Sequence, residues 1–242
     1  MKKLLFLLIS AILFLSSCKK EAAQKNTRIK TYEVKYLTLD PLKLIFSYNS
    51  FNKIDSIEIL ISGTKQLTYY CKYKSDHSLD SLINTYGANR IARKVEYENF
   101  KIKKLGNYTI TYTNSGFINT FTNDTYLYRY EYSGDSIMTY QKIGNDPEQP
   151  EKIYKISSNI KNPFYINGFT NEFSLFSCIQ YELEAYVTDD LFAPYCVTEI
   201  NLGSQKTTYN IDGLFNNYPL KETVSYSTSS FITTMKFTYE EF

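Results

Sequence analysis

The sequence predicts an all-β protein: an antiparallel meander of repeated tyrosine-centred hairpins forming a large curved sheet or open barrel, with a short, partly helical insert. Three observations carry that expectation. The chain holds 24 Tyr and 16 Phe but no Trp, and aromatic and β-branched side chains fit the pleated surface of a sheet. Ahead of several tyrosines the residues alternate between apolar and polar, as in Leu44, Phe46, Tyr48 and in Tyr128, Tyr130, Tyr132. That period of two puts the apolar set on one sheet face. After these tyrosines come short runs rich in Asn, Ser, Asp and Gly, which reverse the chain.

The chain begins with Lys2 and Lys3, then an apolar run from Leu4 to Leu15 interrupted by Ser10, then small residues. These are the zones of a secretory signal. The run is shorter than the roughly 20 residues a membrane-spanning helix needs. Leu15-Ser16-Ser17-Cys18 resembles the lipobox of bacterial lipoproteins. The resemblance implies cleavage before Cys18, lipid on its thiol and an acylated amine. Residues 1–17 are then a signal peptide, 18–28 a lipidated tether, and 29–242 a single β domain. The step from Lys20 to Glu21 resembles the surface-export signal of Bacteroidota lipoproteins. The expected address is the cell envelope, on the outer membrane, with the periplasmic and surface sides both open.

Cleavage removes Lys2 and Lys3, leaving 25 basic residues against 25 acidic ones. A neutral chain has no electrostatic footprint for nucleic acid. Besides Cys18, the cysteines are Cys71, Cys178 and Cys196. An odd number in an oxidising compartment allows one bridge. Cys178 with Cys196 is the preferred pair because the segment between them is short enough to return on itself; three buried thiols are the alternative.

The strongest internal pattern is a repeat. Tyr48 to Ile57 and Tyr73 to Leu82 match position for position: Tyr, Ser two later, an aliphatic six later, then Asp-Ser and another aliphatic. The register recurs more loosely from Tyr112, Tyr209 and Tyr226, and in shortened form from Tyr132. Each unit reads as a hairpin whose second strand starts six residues after the tyrosine. Gly116 and Gly213 fall where the turn needs a positive φ. In-register aromatics would supply cross-strand pairs worth roughly 0.2–1 kcal/mol each.

The Tyr-x-x-x-Gly-x-aliphatic unit at Tyr112 and Tyr209 resembles the tyrosine/aspartate repeats of Rhs-type proteins. It is more similar to a family of Bacteroidota lipoproteins built from the same hairpins, in which a loop with Asn-Pro and a less regular segment precede further C-terminal hairpins. Asn162-Pro163-Phe164 and the stretch from Tyr209 to Phe242 match that layout. Tyr48, Tyr112 and Tyr209 are followed by Asn or Thr where the repeat usually has Asp. The resemblance implies hairpins and an envelope location, and no activity.

From about 146 to 195 the repeat lapses into an irregular insert. Phe169, Phe173, Phe176, Ile179 and Leu183 fall at spacings of three and four, which suggests one or two helical turns. Such an insert either caps an apolar sheet face or acts as a lid over a ligand cleft.

The sequence offers little catalytic chemistry. His77 is the only histidine and occupies the turn position that Asn52 holds in the first unit, so it reads as a solvated turn residue. There is no Gly-x-Ser-x-Gly elbow, no zinc-ligand spacing and no phosphate-binding glycine loop. No catalytic residue, metal site or cofactor is expected. Asp55-Ser56-Ile57, Asp80-Ser81-Leu82 and Asp135-Ser136-Ile137 resemble the O-glycosylation acceptor of Bacteroidota, which makes Ser56, Ser81 and Ser136 candidate sites. The hairpin repeat explains the same triplets without sugar.

The leading functional expectation is a non-catalytic binding module for a glycan or an apolar ligand. A structural lipoprotein pairing with an envelope protein through a sheet edge and a hydrolase using acidic residues are the alternatives.

Overall fold

In a computed structural model, residues 26–35, 40–163, 195–229 and 232–242 are described, Tyr86 by its backbone alone. They form sixteen strands: β1 (Thr27–Lys35), β2 (Leu42–Tyr48), β3 (Ile54–Ile61), β4 (Thr64–Tyr73), β5 (Leu79–Tyr86), β6 (Asn89–Glu98), β7 (Lys101–Leu105) and β8 (Tyr108–Tyr112). They continue with β9 (Ile118–Thr122), β10 (Tyr126–Ser133), β11 (Ser136–Ile143), β12 (Gln149–Lys161), β13 (Tyr195–Leu202), β14 (Gln205–Phe215), β15 (Tyr218–Tyr226) and β16 (Ile232–Glu241). Each strand pairs antiparallel with its neighbours in sequence, and β1 pairs with β16. The meander therefore closes, and the expected curved sheet or open barrel is a closed barrel.

Closure has a consequence for one expected role. Pairing of β1 with β16 leaves no unpaired strand edge among the described residues, so these sixteen strands offer no free edge to a partner strand. Only β-augmentation is affected; contact through the wall or the turns is untouched.

Alternation along the strands sorts the side chains between lumen and outside. Tyr32 and Val34 pair with Leu44 and Leu42; Phe46 pairs with Ile57, which pairs with Tyr69. All of these are buried. The same buried face continues through Ile110, Phe121 and Tyr128 to Val224, Met235 and Phe237. A face buried on every side of a closed sheet is its lumen. The lumen is thus the hydrophobic core.

The expected repeat is present as geometry. In the β2–β3, β4–β5 and β8–β9 turns the residue after the tyrosine donates its N–H four residues on: Asn49 to Lys53, Lys74 to Ser78, Thr113 to Phe117. In each, the fourth residue after the tyrosine donates back to the first, and those residues, Asn52, His77 and Gly116, have φ of 60°, 63° and 89°. His77 is an exposed turn residue, as expected, and its ring lies tilted against Phe51 with centres 3.9 Å apart.

The unit at Tyr209 departs from the expectation. Gly213 does adopt a positive φ of 76°, but β14 continues to Phe215 and the chain reverses at Asn216–Asn217. Those two asparagines have φ of 51° and 67°, the requirement of a two-residue hairpin turn. Gln149 to Lys161, inside the expected irregular stretch, is the thirteen-residue strand β12. The expected helical turns at 169–183 lie outside the described residues. β1 starts at Thr27, so the last two residues assigned to the tether belong to the barrel.

Candidate functional site

The two ends of the barrel differ, and the repeat tyrosines define one of them. Tyr48, Tyr73 and Tyr112 each end an even-numbered strand, Tyr132 is the last residue but one of β10, and each donates its hydroxyl to a carbonyl on the preceding strand. The acceptors are Ile29 (2.6 Å), Ile54 (2.7 Å), Ile102 (2.9 Å) and Ile118 (2.9 Å). Two tyrosines outside the expected set complete the series. Tyr239 donates to the Pro219 carbonyl at 2.6 Å, and Tyr97 accepts from the Leu79 N–H at 2.9 Å. Tyr209 is instead buried within β14, and Tyr226 closes β15 at the opposite end, 3.5 Å from the Thr233 hydroxyl. The tyrosines are latches, half-buried and bonded, rather than an open aromatic strip.

Just inside the latched end lies a buried acid. Glu222 faces the lumen between Ile211 and Met235 at 4% exposure. Burial pushes its carboxyl up to about 7, and hydrogen bonding from the Cys196 thiol opposes part of that shift. Cys196 also lies 3.2 Å from the Lys161 carbonyl. Tyr239 and Tyr218 lie nearby with tilted rings whose centres are 5.7 Å apart, and burial raises the pKa of both phenols. Alternation with Val224 could have flagged Glu222 as lumen-facing; a lone glutamate in a mixed segment carried no other signal.

The opposite end carries exposed apolar side chains among the described residues. Ile91, Tyr126, Ile143 and Leu202 sit at strand ends there, in register with lumen residues, yet are between 38% and 52% exposed. Beneath them are a few polar contacts: Gln141 donates to the Tyr128 hydroxyl at 3.0 Å, and Arg93 to the Asn84 side chain at 3.4 Å.

The outer wall is charged. Glu33 pairs with Lys43 across β1 and β2 at 2.6 Å, Glu58 with Lys65 at 2.5 Å and Asp80 with Lys94 at 2.9 Å. Glu199 bridges Lys206 at 2.5 Å and Lys155 at 3.0 Å, and those partners with Asn201 hold its carboxyl down to about 2. Arg129 grips Glu148 through two nitrogens, at 2.9 and 2.8 Å, and stacks on Tyr140.

Of the other candidate residues, Ser81 is buried and bonds the Asp80 carboxylate at 3.1 Å. Ser136 bonds Asp135 at 3.2 Å, and both Ser56 and Ser136 are half-buried at the starts of their strands. Cys71 is buried in the lumen. Cys18 and Cys178 lie outside the described residues. Among the described residues no cluster of ligating side chains forms a metal site.

No protein-family model and no curated protein matches the chain. Solved structures do. A porin-like protein from Bacteroides uniformis superposes with a TM-score of 0.59 at 16% identity, covering 89% of this chain and 99% of that one. A second porin-like protein, from Bacteroides vulgatus, has a TM-score of 0.40 at 12% identity over the same shares. The first likeness extends along nearly the whole meander, and at that identity what the two chains share is the barrel fold.

Proposed function

We propose that the chain is a lipid-anchored, non-catalytic binding protein of the bacterial cell envelope, whose wall stands in water and whose exposed apolar side chains at the end opposite the latches receive an apolar ligand. The observation that carries this reading is the polarity of the barrel: apolar inside except for Glu222 and Arg93, charged outside. A membrane barrel has the reverse arrangement. Lys94, Arg129, Lys155 and Lys236 point outward in mid-strand. At about 2–4 kcal/mol for each cation facing lipid, these four alone would cost about 8–16 kcal/mol, as much as the whole stability of a typical domain. Strands β7, β8 and β9 have five residues each, against the roughly 9–11 a spanning strand needs.

A barrel of this kind reaches its membrane by another means, and the lipobox ending at Cys18 supplies it. The hairpin repeat supports grouping the chain with the tyrosine/aspartate-repeat lipoproteins of the Bacteroidota, and the porin-like neighbour supports an envelope setting. The exposed apolar side chains of Ile91, Tyr126, Ile143 and Leu202 favour an apolar ligand over a glycan, since apolar surfaces with few polar groups typify small-molecule sites. Glu222 is sealed beneath the opposite, latched end, so its acid is unavailable to a substrate bound there.

Two measurements test the reading. Labelled palmitate should enter the wild-type chain and not Cys18→Ala. Anilinonaphthalene sulfonate and long-chain fatty acids should bind the folded barrel saturably, and Tyr126→Asp with Ile143→Glu should abolish binding without unfolding it. Absence of binding by the native barrel would remove the ligand reading and leave the anchor intact.

A further inference from the structure

We propose that the latched end of the barrel is a membrane-docking surface, seating Phe51 and Phe100 among the headgroups of an anionic lipid bilayer. The inference rests on the reading of Cys18 as a lipid anchor and adds a second contact to it. Its first support is where the chain enters the barrel. Cys18 stands nine residues before Thr27, a reach of at most about 30 Å. Arg28, the second residue of β1, donates to the side chain of Asn52 in the β2–β3 turn at 3.0 Å. Asn216 of the β14–β15 turn bonds the Thr27 hydroxyl at 2.8 Å. The tether therefore leaves from the same end as these turns, and a lipid on Cys18 holds that end at the bilayer.

The second support is what the turns present. Phe100 is 92% exposed and Phe51 57%, each at the outermost point of its hairpin. With them come Lys53 and Lys74 within the turns and Lys101 beside the third, opposite Glu98; Asp76 is the single acid within the three turns, and its carboxylate is occupied by the Ser78 N–H (2.9 Å) and hydroxyl (2.6 Å). Exposed aromatics interleaved with lysine suit an interface where rings enter the acyl boundary and cations meet anionic headgroups. The described turns at the opposite end, such as Ser62–Gly63, Gly87–Ala88, Gly106–Asn107 and Gly203–Ser204, carry neither aromatics nor lysine.

The third support is backbone geometry. Asn99 and Phe100 form a two-residue turn with φ of 51° and 63°, the same turn that Asn216 and Asn217 make on the β14–β15 hairpin. Asparagine tolerates this conformation, whereas a bulky side chain there is an outlier. Phe100 is thus both strained and exposed, a combination that folding alone does not favour.

The chain has no tryptophan, so a single introduced indole reports its own position. The Phe100→Trp variant would be prepared as the lipidated full chain and as the unlipidated chain from Lys19, which keeps all sixteen strands. Both would be mixed with vesicles of phosphatidylethanolamine and phosphatidylglycerol carrying brominated acyl chains. The expected result is a blue shift and quenching for Phe100→Trp and neither for Ser204→Trp at the far end. Phe100→Asn should weaken partitioning of the unlipidated chain about tenfold, the order of one buried aromatic ring. A lipidated, vesicle-bound Phe100→Trp chain whose emission stays unshifted would overturn docking while leaving the anchor in place. Failure of the full chain to take up lipid would overturn the anchor, and the unlipidated chain would still judge the docking. A shift seen only with envelope protein extract, and not with vesicles, would replace the bilayer by a protein partner and overturn the proposal.

Discussion

The Tyr73 hydroxyl donates to the Ile54 carbonyl at 2.7 Å, tying the end of β4 to the start of β3 on the side away from the hairpin turn. Turns join β2 to β3 and β4 to β5, whereas the β3–β4 ladder stops at Ser56 and Tyr70, and the Tyr73 side chain carries the link on to Ile54. Tyrosines on six of the eight even-numbered strands make such a contact, so the repeat is in large part a device for holding neighbouring hairpins together.

Removing one latch should cost what a partly buried hydrogen bond contributes. Tyr73→Phe and Tyr132→Phe should each lower unfolding free energy by about 1–2 kcal/mol, read as a shift in the denaturant midpoint. Tyr70→Phe, on the outer face, should change stability by less than about 0.5 kcal/mol. Equal losses at Tyr70 and Tyr73 would contradict the latch.

The latch also explains how far the fold could be read from the residues. Tyr48 and Tyr73 head matching turns because both the turn hydrogen bonds and the latch act on neighbouring residues, so local spacing records them. Tyr239 donates in the same way from the last strand, and Tyr97 accepts the Leu79 N–H beside a turn of another length, so spacing from the tyrosine is lost. Closure of β1 on β16 joins residues more than 200 positions apart, including Arg28 to Glu240, and leaves no local trace. Glu222 was illegible for a related reason: its burial depends on Cys196 and Met235, which other strands bring to it.

Glu222 gives the barrel a pH dependence of one sign. Its folded pKa, about 7, lies above the ordinary 4.5, so between those values the native state holds a proton that the unfolded state releases. Stability from this group is therefore greatest below about pH 4.5, falls as pH rises to about 7, and then levels. The loss should be roughly 2–4 kcal/mol. Glu222→Gln should flatten that slope and raise the melting temperature at pH 8 relative to wild type. An unchanged profile would show that the carboxyl is hydrated in solution.

Glu199 works in the opposite direction. Its carboxyl, held down to about 2 by Lys206, Asn201 and Lys155, stabilises the fold above pH 4.5 and ceases to do so as pH falls toward 2. It lies on the outer wall, where solvent screens it, so Glu199→Gln should cost less than about 1 kcal/mol, and less again in molar salt. A larger, salt-insensitive loss would mean that this part of the wall is not in water. The same wall predicts that the chain from Lys19 remains monodisperse without detergent, checked by light scattering.

Phe100 sets stability against function. The β14–β15 hairpin makes its turn with Asn216–Asn217, and the β6–β7 hairpin makes the same turn with Asn99–Phe100. Phe100→Asn gives the second hairpin the sequence of the first and relieves a side chain from the left-handed region. That change should raise stability by about 0.5–1.5 kcal/mol, read as a higher denaturant midpoint with an unchanged slope. Phe51 precedes the positive-φ residue Asn52 of its turn rather than occupying that position, so Phe51→Ser should leave stability nearly unchanged. If Phe100→Asn stabilises the barrel while its membrane contact weakens, the strain at this turn is a cost retained for binding. If it destabilises the barrel, Phe100 packs on its neighbours in solution, and its exposure cannot be attributed to a membrane.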